Sequence, residues 1–330
     1  MTNFYYFKNN KYAIMAFFRK VINKYLLKFC NFFGLQLNIL SPYLLHLEPT
    51  NHCNFHCPLC PTGNGESKRE KSFMHWDLFV SIINEQKKFL YELYLIGFGE
   101  PLLHPNIANM VDYAENNDIK TYISTNASML IKENILNKII QSKLSVLMIA
   151  IDGATSQSYN KYRVGGNFEN IYNIVKNINT LKEKYGNKKL VVQIQFIVMR
   201  HNENEIESIK LIAENTGVEL RLKTVSVRSV RDLKYLPLNK KYRRYKTLNN
   251  LKPKNSQPKS CPRAWGHATI YSDGSVVSCC KDSQQETLFG FVNKENSFYS
   301  IWNSKAFYDF RKKQRLHKTS IGICKNCVIP

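Results

Sequence analysis

Across residues 43–225 the chain alternates short apolar runs with longer stretches in which apolar residues recur every three or four positions. The runs at residues 43–48, 93–98, 120–124, 145–151, 190–199 and 218–225 have the length and the β-branched or aromatic content of strands. Between them, sets such as Trp76, Phe79, Val80 and Ile83, or Ile107, Met110, Val111 and Ala114, follow the i, i+3, i+4, i+7 spacing of one helix face. Six β/α units in series call for parallel strands joined by right-handed crossovers, hence a barrel or an open doubly wound sheet. In either form the chemistry gathers at the C-terminal ends of the strands.

The flanks break this rhythm. Residues 1–42 carry Lys8, Lys11, Arg19, Lys20, Lys24 and Lys28 and no acid. Between Tyr12 and Phe33, the polar positions Lys20, Asn23, Lys24, Lys28 and Asn31 form one stripe at helical spacing and leave a wide aromatic and aliphatic face. A basic amphipathic helix of this kind packs on its own domain, on a partner or at an anionic membrane surface, and packing on protein is the expectation. Cys30 on this segment reads as a small buried apolar residue. Residues 228–260 hold eleven Lys and Arg, from Arg228 to Lys259, against the single acid Asp232, with Pro237, Pro253 and Pro258 as punctuation. They read as a basic linker. Residues 261–330 form a second, small module with five of the nine cysteines.

Composition narrows the class. With 330 residues, 44% hydrophobic and 22% charged, the chain is long enough to bury a sizeable core. No stretch approaches the roughly 20 apolar residues that span a bilayer, and no secretory signal is visible at the start. The formal charge of +22 fits a polyanionic partner or a membrane. A Lys-rich composition spread over solvated faces accounts for it equally well. The cysteines cluster at short spacings in a long chain, which favours metal ligation over a disulfide framework.

The stretch "EPTNHCNFHCPLCPTG" follows the first strand and brings Cys53, Cys57 and Cys60 within eight residues. Three thiolates on one loop can wrap a single metal cluster. Four-iron clusters normally take four cysteines, yet the next is Cys261. One iron is then left open to a small molecule. A zinc site is the alternative.

The C-x3-C-x2-C spacing after the first strand resembles the signature of the radical S-adenosylmethionine superfamily, and the resemblance covers about residues 43–225. It implies a partial (β/α)6 TIM-like barrel (residues 43–227) whose four-iron, four-sulfur cluster at Cys53, Cys57 and Cys60 binds S-adenosylmethionine. "GFGEP" resembles the family's glycine–glutamate motif: backbone carbonyls at Gly97, Phe98 and Gly99 and the Glu100 carboxylate would accept from the cofactor ammonium. "ISTNA" places Ser124 and Asn126 near the ribose or the methionine carboxylate. Asp152 ends the fourth strand, and Arg163, in the following helix, would pair with that carboxylate. Gln195 would line the barrel interior. Leu59 stands where many relatives carry an aromatic residue beside the adenine.

In the last module, strand patterns meeting at Asp273-Gly274 mark a hairpin, and a helix over residues 301–313 leads to Cys324 and Cys327. Cys261, Cys279, Cys324 and Cys327 can close a second cluster, with Cys280 as the alternative to Cys279. The arrangement resembles the SPASM and shorter twitch auxiliary-cluster extensions. The cysteine count favours the twitch form, with one auxiliary four-iron cluster. The fold class is therefore α/β, a partial barrel with an N-terminal helical extension (residues 1–42) and a small hairpin/helix iron–sulfur domain.

The resemblance implies reductive cleavage of S-adenosylmethionine to a 5′-deoxyadenosyl radical, which takes a hydrogen atom from a small-molecule, carbohydrate or peptide substrate. The auxiliary cluster would assist oxidation or substrate binding, and a cellular electron donor would feed the reaction. The short N-terminal segment favours a small or carbohydrate-like substrate over a leader peptide. A cytoplasmic, reducing setting is expected. The alternatives are an RNA-modifying radical enzyme, suggested by residues 228–260 although nucleic acid is not the favoured partner, and a zinc-stabilised binding module without activity.

Overall fold

Six parallel strands form the core of the computed structural model, which describes residues 11–249, 251–254, 260–325 and 327. They are β1 (Leu44–Leu47), β2 (Glu92–Leu95), β3 (Lys120–Thr125), β4 (Val146–Ala150), β5 (Val191–Val198) and β6 (Glu219–Thr224), each hydrogen-bonded to the next in chain order. Every residue of β4 is buried, as a central strand covered on both faces should be. The intervening helices α2 (Trp76–Gln86), α3 (Ile107–Glu115), α4 (Glu133–Gln141), α5 (Ser156–Tyr162), α6 (Phe168–Lys184) and α7 (Ile206–Thr216) turn apolar stripes inward. Phe79, Ile82 and Ile83 of α2 are fully buried, as are Met110, Val111 and Ala114 of α3.

The sheet continues past β1 into the C-terminal module. There α8 (Pro262–Gly266) leads into β7 (His267–Ile270), which pairs parallel to β1, Leu44 to Leu47 matching His267 to Ile270 in order. The turn at Asp273-Gly274 returns the chain antiparallel as β8 (Ser275–Val277), and β9 (Leu288–Phe291) completes the order β6-β5-β4-β3-β2-β1-β7-β8-β9. The barrel is thus open: β6 and β9 are its edges, and β1 is interior.

Two local outcomes differ from the sequence reading. The helix expected over residues 301–313 is two helices, α9 (Phe298–Trp302) and α10 (Lys305–Leu316), because the Ser304 side chain accepts from the Phe307 amide and starts a new helix. The described residues of the basic linker also carry local structure that the sequence reading did not specify: a capping box joins Ser229 and Asp232, and Leu233, Leu236 and Tyr245 are buried.

The N-terminal helix α1 (Lys11–Phe33) packs on the protein, but through its polar side. Lys20 and Asn23 are buried, Lys24 and Asn31 half-buried, and only Lys28 of the stripe is exposed. Lys20 Nζ donates to the Asp118 carbonyl at 2.7 Å. Asn23 bonds Ser41 in both directions, and Lys24 lies over the rings of Tyr43 and Tyr91. These partners precede β3, β1 and β2, so α1 covers the N-terminal ends of the strands and satisfies backbone groups there. Its aromatic face points outward. Cys30 is buried beneath it as expected. Lys20 has its pKa lowered to about 8 by burial, partly offset by Asp118.

Candidate functional site

The cysteine loop leaves β1 at its C-terminal end and is held by loops from three further strands. Asn126, just after β3, donates to Asn54 Oδ1 at 3.1 Å, and Asn54 donates to Ser128. His56 N donates to the Val164 carbonyl beyond α5. Glu100 N, beyond β2, donates to the His52 carbonyl at 2.8 Å. Behind the loop, Asn51 binds the backbone of Glu70 and Ser72, which ties the descending chain to β1.

Donors converge on the thiols. Phe55 N lies 3.5 Å and Asn126 Nδ2 4.0 Å from Cys53 Sγ, and Arg163 Nη1 lies 3.9 Å from Cys57 Sγ. Burial raises the Cys53 thiol to about 11 and also raises Cys57, against the pull of Arg163. Such thiols stay protonated until a cation displaces the proton. Three soft ligands on one loop, with donors near the Cys53 and Cys57 sulfurs, fit an iron–sulfur cluster.

Around this loop the acids are paired. Glu100 accepts from Leu102 N (3.0 Å), Thr125 Oγ1 (2.6 Å) and Asn126 N (2.7 Å), and is 2% exposed. Its carboxylate binds the β2 loop to the β3 loop: Oε1 accepts twice and Oε2 once, which leaves Oε2 able to accept one further donor. Asp152 is held by Arg163 (2.6 Å to Nε, 2.5 Å to Nη2) and by Ile197 N, while Asn202 donates to its carbonyl. Arg163 is the C-cap of α5 rather than a residue within a helix. Burial alone would lower its pKa, but Asp152 and Cys57 raise it on balance. Of its guanidinium, the Nη1 edge faces the cysteine loop.

Sequence reasoning missed Glu48 and Arg69. Glu48, fully buried at the end of β1, accepts two hydrogen bonds from Arg69 (2.7 and 2.9 Å), one from Phe98 N (2.8 Å) and one from Ser272 (3.3 Å). Arg69 lies 3.9 Å from the Tyr271 ring centroid. This one carboxylate therefore joins the cysteine strand, the glycine motif and the β7–β8 hairpin. The acid stood first in the cysteine stretch, at a strand's C-terminal end, which was the available signal.

A cavity of about 550 Å³ is lined by, among others, Leu59, Phe98, Gln195, Lys223, Arg228, Arg244, Cys280 and Cys327. Lys223 Nζ donates to Gln195 Oε1. None of Lys223, Arg228 and Arg244 forms an ion pair with a described residue. Ser124, at the end of β3, is half-buried. In the C-terminal module Cys261, Cys279, Cys324 and Cys327 line one small pocket, from which Cys280 is absent. Burial raises Cys324 to about 12 and also raises Cys261. Lys281 Nζ donates to Cys327 Sγ at 3.9 Å. Of the two adjacent residues, Cys279 lines the small pocket with the other three cysteines and Cys280 lines the large cavity, while their side chains stay within hydrogen-bonding reach of each other.

With the cysteine loop at the strand ends of an open parallel barrel, the class is defined, and comparison agrees: residues 47–213 match the Radical SAM superfamily. The chain belongs to that superfamily, and residues 261–328 match the SPASM iron–sulfur cluster-binding domain. Membership brings a four-iron cluster and S-adenosylmethionine, and the SPASM match brings auxiliary iron–sulfur binding. The chain is 26% identical to the tungsten-containing aldehyde ferredoxin oxidoreductase cofactor-modifying protein of Pyrococcus furiosus, covering 81% of this chain and 82% of that protein. It is also 26% identical to mycofactocin maturase MftC of Mycobacterium ulcerans, over 55% of this chain but only 47% of that protein. Streptococcus suis SuiB bound to S-adenosylmethionine shares the fold, with a TM-score of 0.63 at 17% identity, over 87% of this chain and 72% of that one. Among the described residues no helix is long and apolar enough to cross a membrane.

Proposed function

We propose that Cys53, Cys57 and Cys60 hold the catalytic four-iron cluster and that the cavity beside them holds S-adenosylmethionine next to a substrate. When bound, this pair supplies a one-electron cleavage that yields a 5′-deoxyadenosyl radical able to take a hydrogen atom from a C–H bond. The chain's own residues do the rest. Carbonyls of Gly97, Phe98 and Gly99 accept from the ammonium, Asn126 and Ser124 face the ribose and carboxylate side, and Leu59 covers the adenine. Glu100 and Asp152 hold the strand-end loops, and the outer edge of Arg163 offers positive charge. The cavity lining positions the reacting groups against each other.

Cys261, Cys279, Cys324 and Cys327 would hold a single auxiliary cluster, the twitch arrangement, assisting substrate oxidation or binding. The observation that carries the reading is that one cavity reaches from Leu59, between Cys57 and Cys60 on the first loop, to Cys327 of the second set. The substrate is a small molecule, carbohydrate or peptide. Cations at Lys223, Arg228 and Arg244 favour one that brings negative charge. The relatives are a cofactor-modifying protein and a maturase, in keeping with modification of a cofactor or its precursor. A reducing compartment such as the cytoplasm, and an electron donor, complete the requirement.

The test is 5′-deoxyadenosine formation from S-adenosylmethionine by anaerobically reconstituted protein with a strong reductant. The wild type should form it and Cys57→Ala should not. Equal formation by both would remove the assignment. Deuterium transfer from a labelled candidate substrate into 5′-deoxyadenosine would then identify the substrate.

A further inference from the structure

The outward face of α1 is the least explained surface of the molecule. Met15, Phe18, Ile22, Tyr25, Phe29 and Phe32 recur at three- and four-residue spacing on that face, between 49% and 72% exposed. Ile39, 69% exposed, and Phe89 extend the apolar surface beyond the helix. On the opposite side Lys20, Asn23, Leu27 and Cys30, at the same spacing, are buried against the barrel. A helix that turns polar groups inward and aromatic rings outward has its apolar side committed to something other than its own core.

We propose that this face docks in the plane of an anionic lipid bilayer. Charge chooses the occupant. No acid occurs before Glu48, while the segment carries six Lys and Arg. Arg19 and Lys28 are exposed on the helix, and Arg19 lies over the Phe89 ring, next in sequence to Lys87 and Lys88. Basic residues beside Phe, Tyr and Ile suit the interface between lipid headgroups and acyl chains. A second copy fits worse. Two such helices face to face would oppose cations to cations with no acid to pair them. Polarity fits an interfacial helix rather than a span: its 23 residues would be long enough to cross, but the helix is not apolar enough to do so. Because α1 covers the N-terminal ends of the strands, docking leaves the cavity at the opposite ends open to substrate.

The proposal is independent of the catalytic reading. The reconstituted full chain would be sedimented with vesicles of phosphatidylcholine alone and with about 30% phosphatidylglycerol. With two or more basic residues near the surface, partitioning to the anionic vesicles should be at least about tenfold stronger and should weaken in high salt. The double substitution Ile22→Glu, Phe29→Glu should lower it by more than about tenfold, with iron content and thermal melting unchanged because both positions are exposed. Absence of binding to anionic vesicles, or binding that survives the substitutions, would overturn the proposal. So would a wild-type dimer that these substitutions dissolve, since a second copy would then own the face.

Discussion

A Cβ on Gly99 would lie 2.1 Å from the Thr50 carbonyl oxygen and 2.7 Å from that of His52, whereas one on Gly97 would meet the Glu48 side chain, with Oε2 at 2.4 Å. The difference decides the outcome. Backbone of the cysteine loop cannot step aside without carrying Cys53 with it, while a side chain can yield in part, restrained here by Arg69 and Phe98 N. Overpacking of this kind costs about 1–3 kcal/mol where neighbours can adjust. Gly97→Ala should therefore weaken S-adenosylmethionine binding about tenfold, and Gly99→Ala should abolish it or prevent cluster loading. Equilibrium binding and iron content of the reconstituted variants measure both, and unchanged affinity in Gly99→Ala would refute the argument. The motif was legible in the sequence, but the partners were not. Glu100 was read as a ligand contact because a carboxylate after a glycine turn suggests one; its bonds to Thr125 and Asn126, 25 and 26 residues later, were not readable, since only the folded β3 loop brings those residues to it.

Among elements, β7 has the largest consequence. It occupies the edge that β1 would otherwise expose, so the C-terminal module finishes the barrel sheet as well as carrying cysteines. A chain ending at residue 260 would present the bare edge of β1, three of whose four residues are leucine, and lose Tyr271 and Ser272 from the Glu48–Arg69 pair. Unpaired edges recruit other chains, so this truncation should aggregate on expression. A monomeric truncated chain with normal cluster loading, seen by gel filtration and iron analysis, would contradict it. The six β/α units were readable because period two and period 3.6 are local properties. The β1–β7 pairing was not, since nothing local in residues 44–47 specifies a neighbour more than two hundred residues away. The sidedness of α1 failed for a related reason: its polar stripe was visible, but its satisfaction by the Asp118 carbonyl and the Ser41 backbone was not. The helix break at Ser304 had a readable cap, hidden by the apolar spacing that continues across it.

At the scale of the whole molecule, one cavity borders both cysteine-bearing regions, through Leu59 on the first loop and Cys280 and Cys327 in the C-terminal module, and the two sets should be separable in function. The spacing alone announced the first set; for the second, the sequence left Cys279 and Cys280 open, and only the fold shows which of the two lines the pocket of the other three cysteines. If each set holds one four-iron cluster, the fully loaded chain carries about 8 irons, and about 12 would mean a second auxiliary cluster. Cys324→Ala should lower the content to about 4 irons, because a closed cluster that loses one of four thiolates on a short helix has no spare ligand pointing into its pocket. Cleavage of S-adenosylmethionine should survive in this variant, since Cys53, Cys57 and Cys60 lie at the end of β1 and their donors come from the β2, β3 and β4 loops. Turnover of a true substrate should not survive if the auxiliary cluster takes part in oxidation or binding. Iron analysis, 5′-deoxyadenosine yield and product yield on the same preparation give three readings that move apart. Loss of all three together would show instead that the C-terminal module acts by holding the barrel closed at β1, through Glu48 and Arg69, and that its cysteines serve the fold before they serve the chemistry.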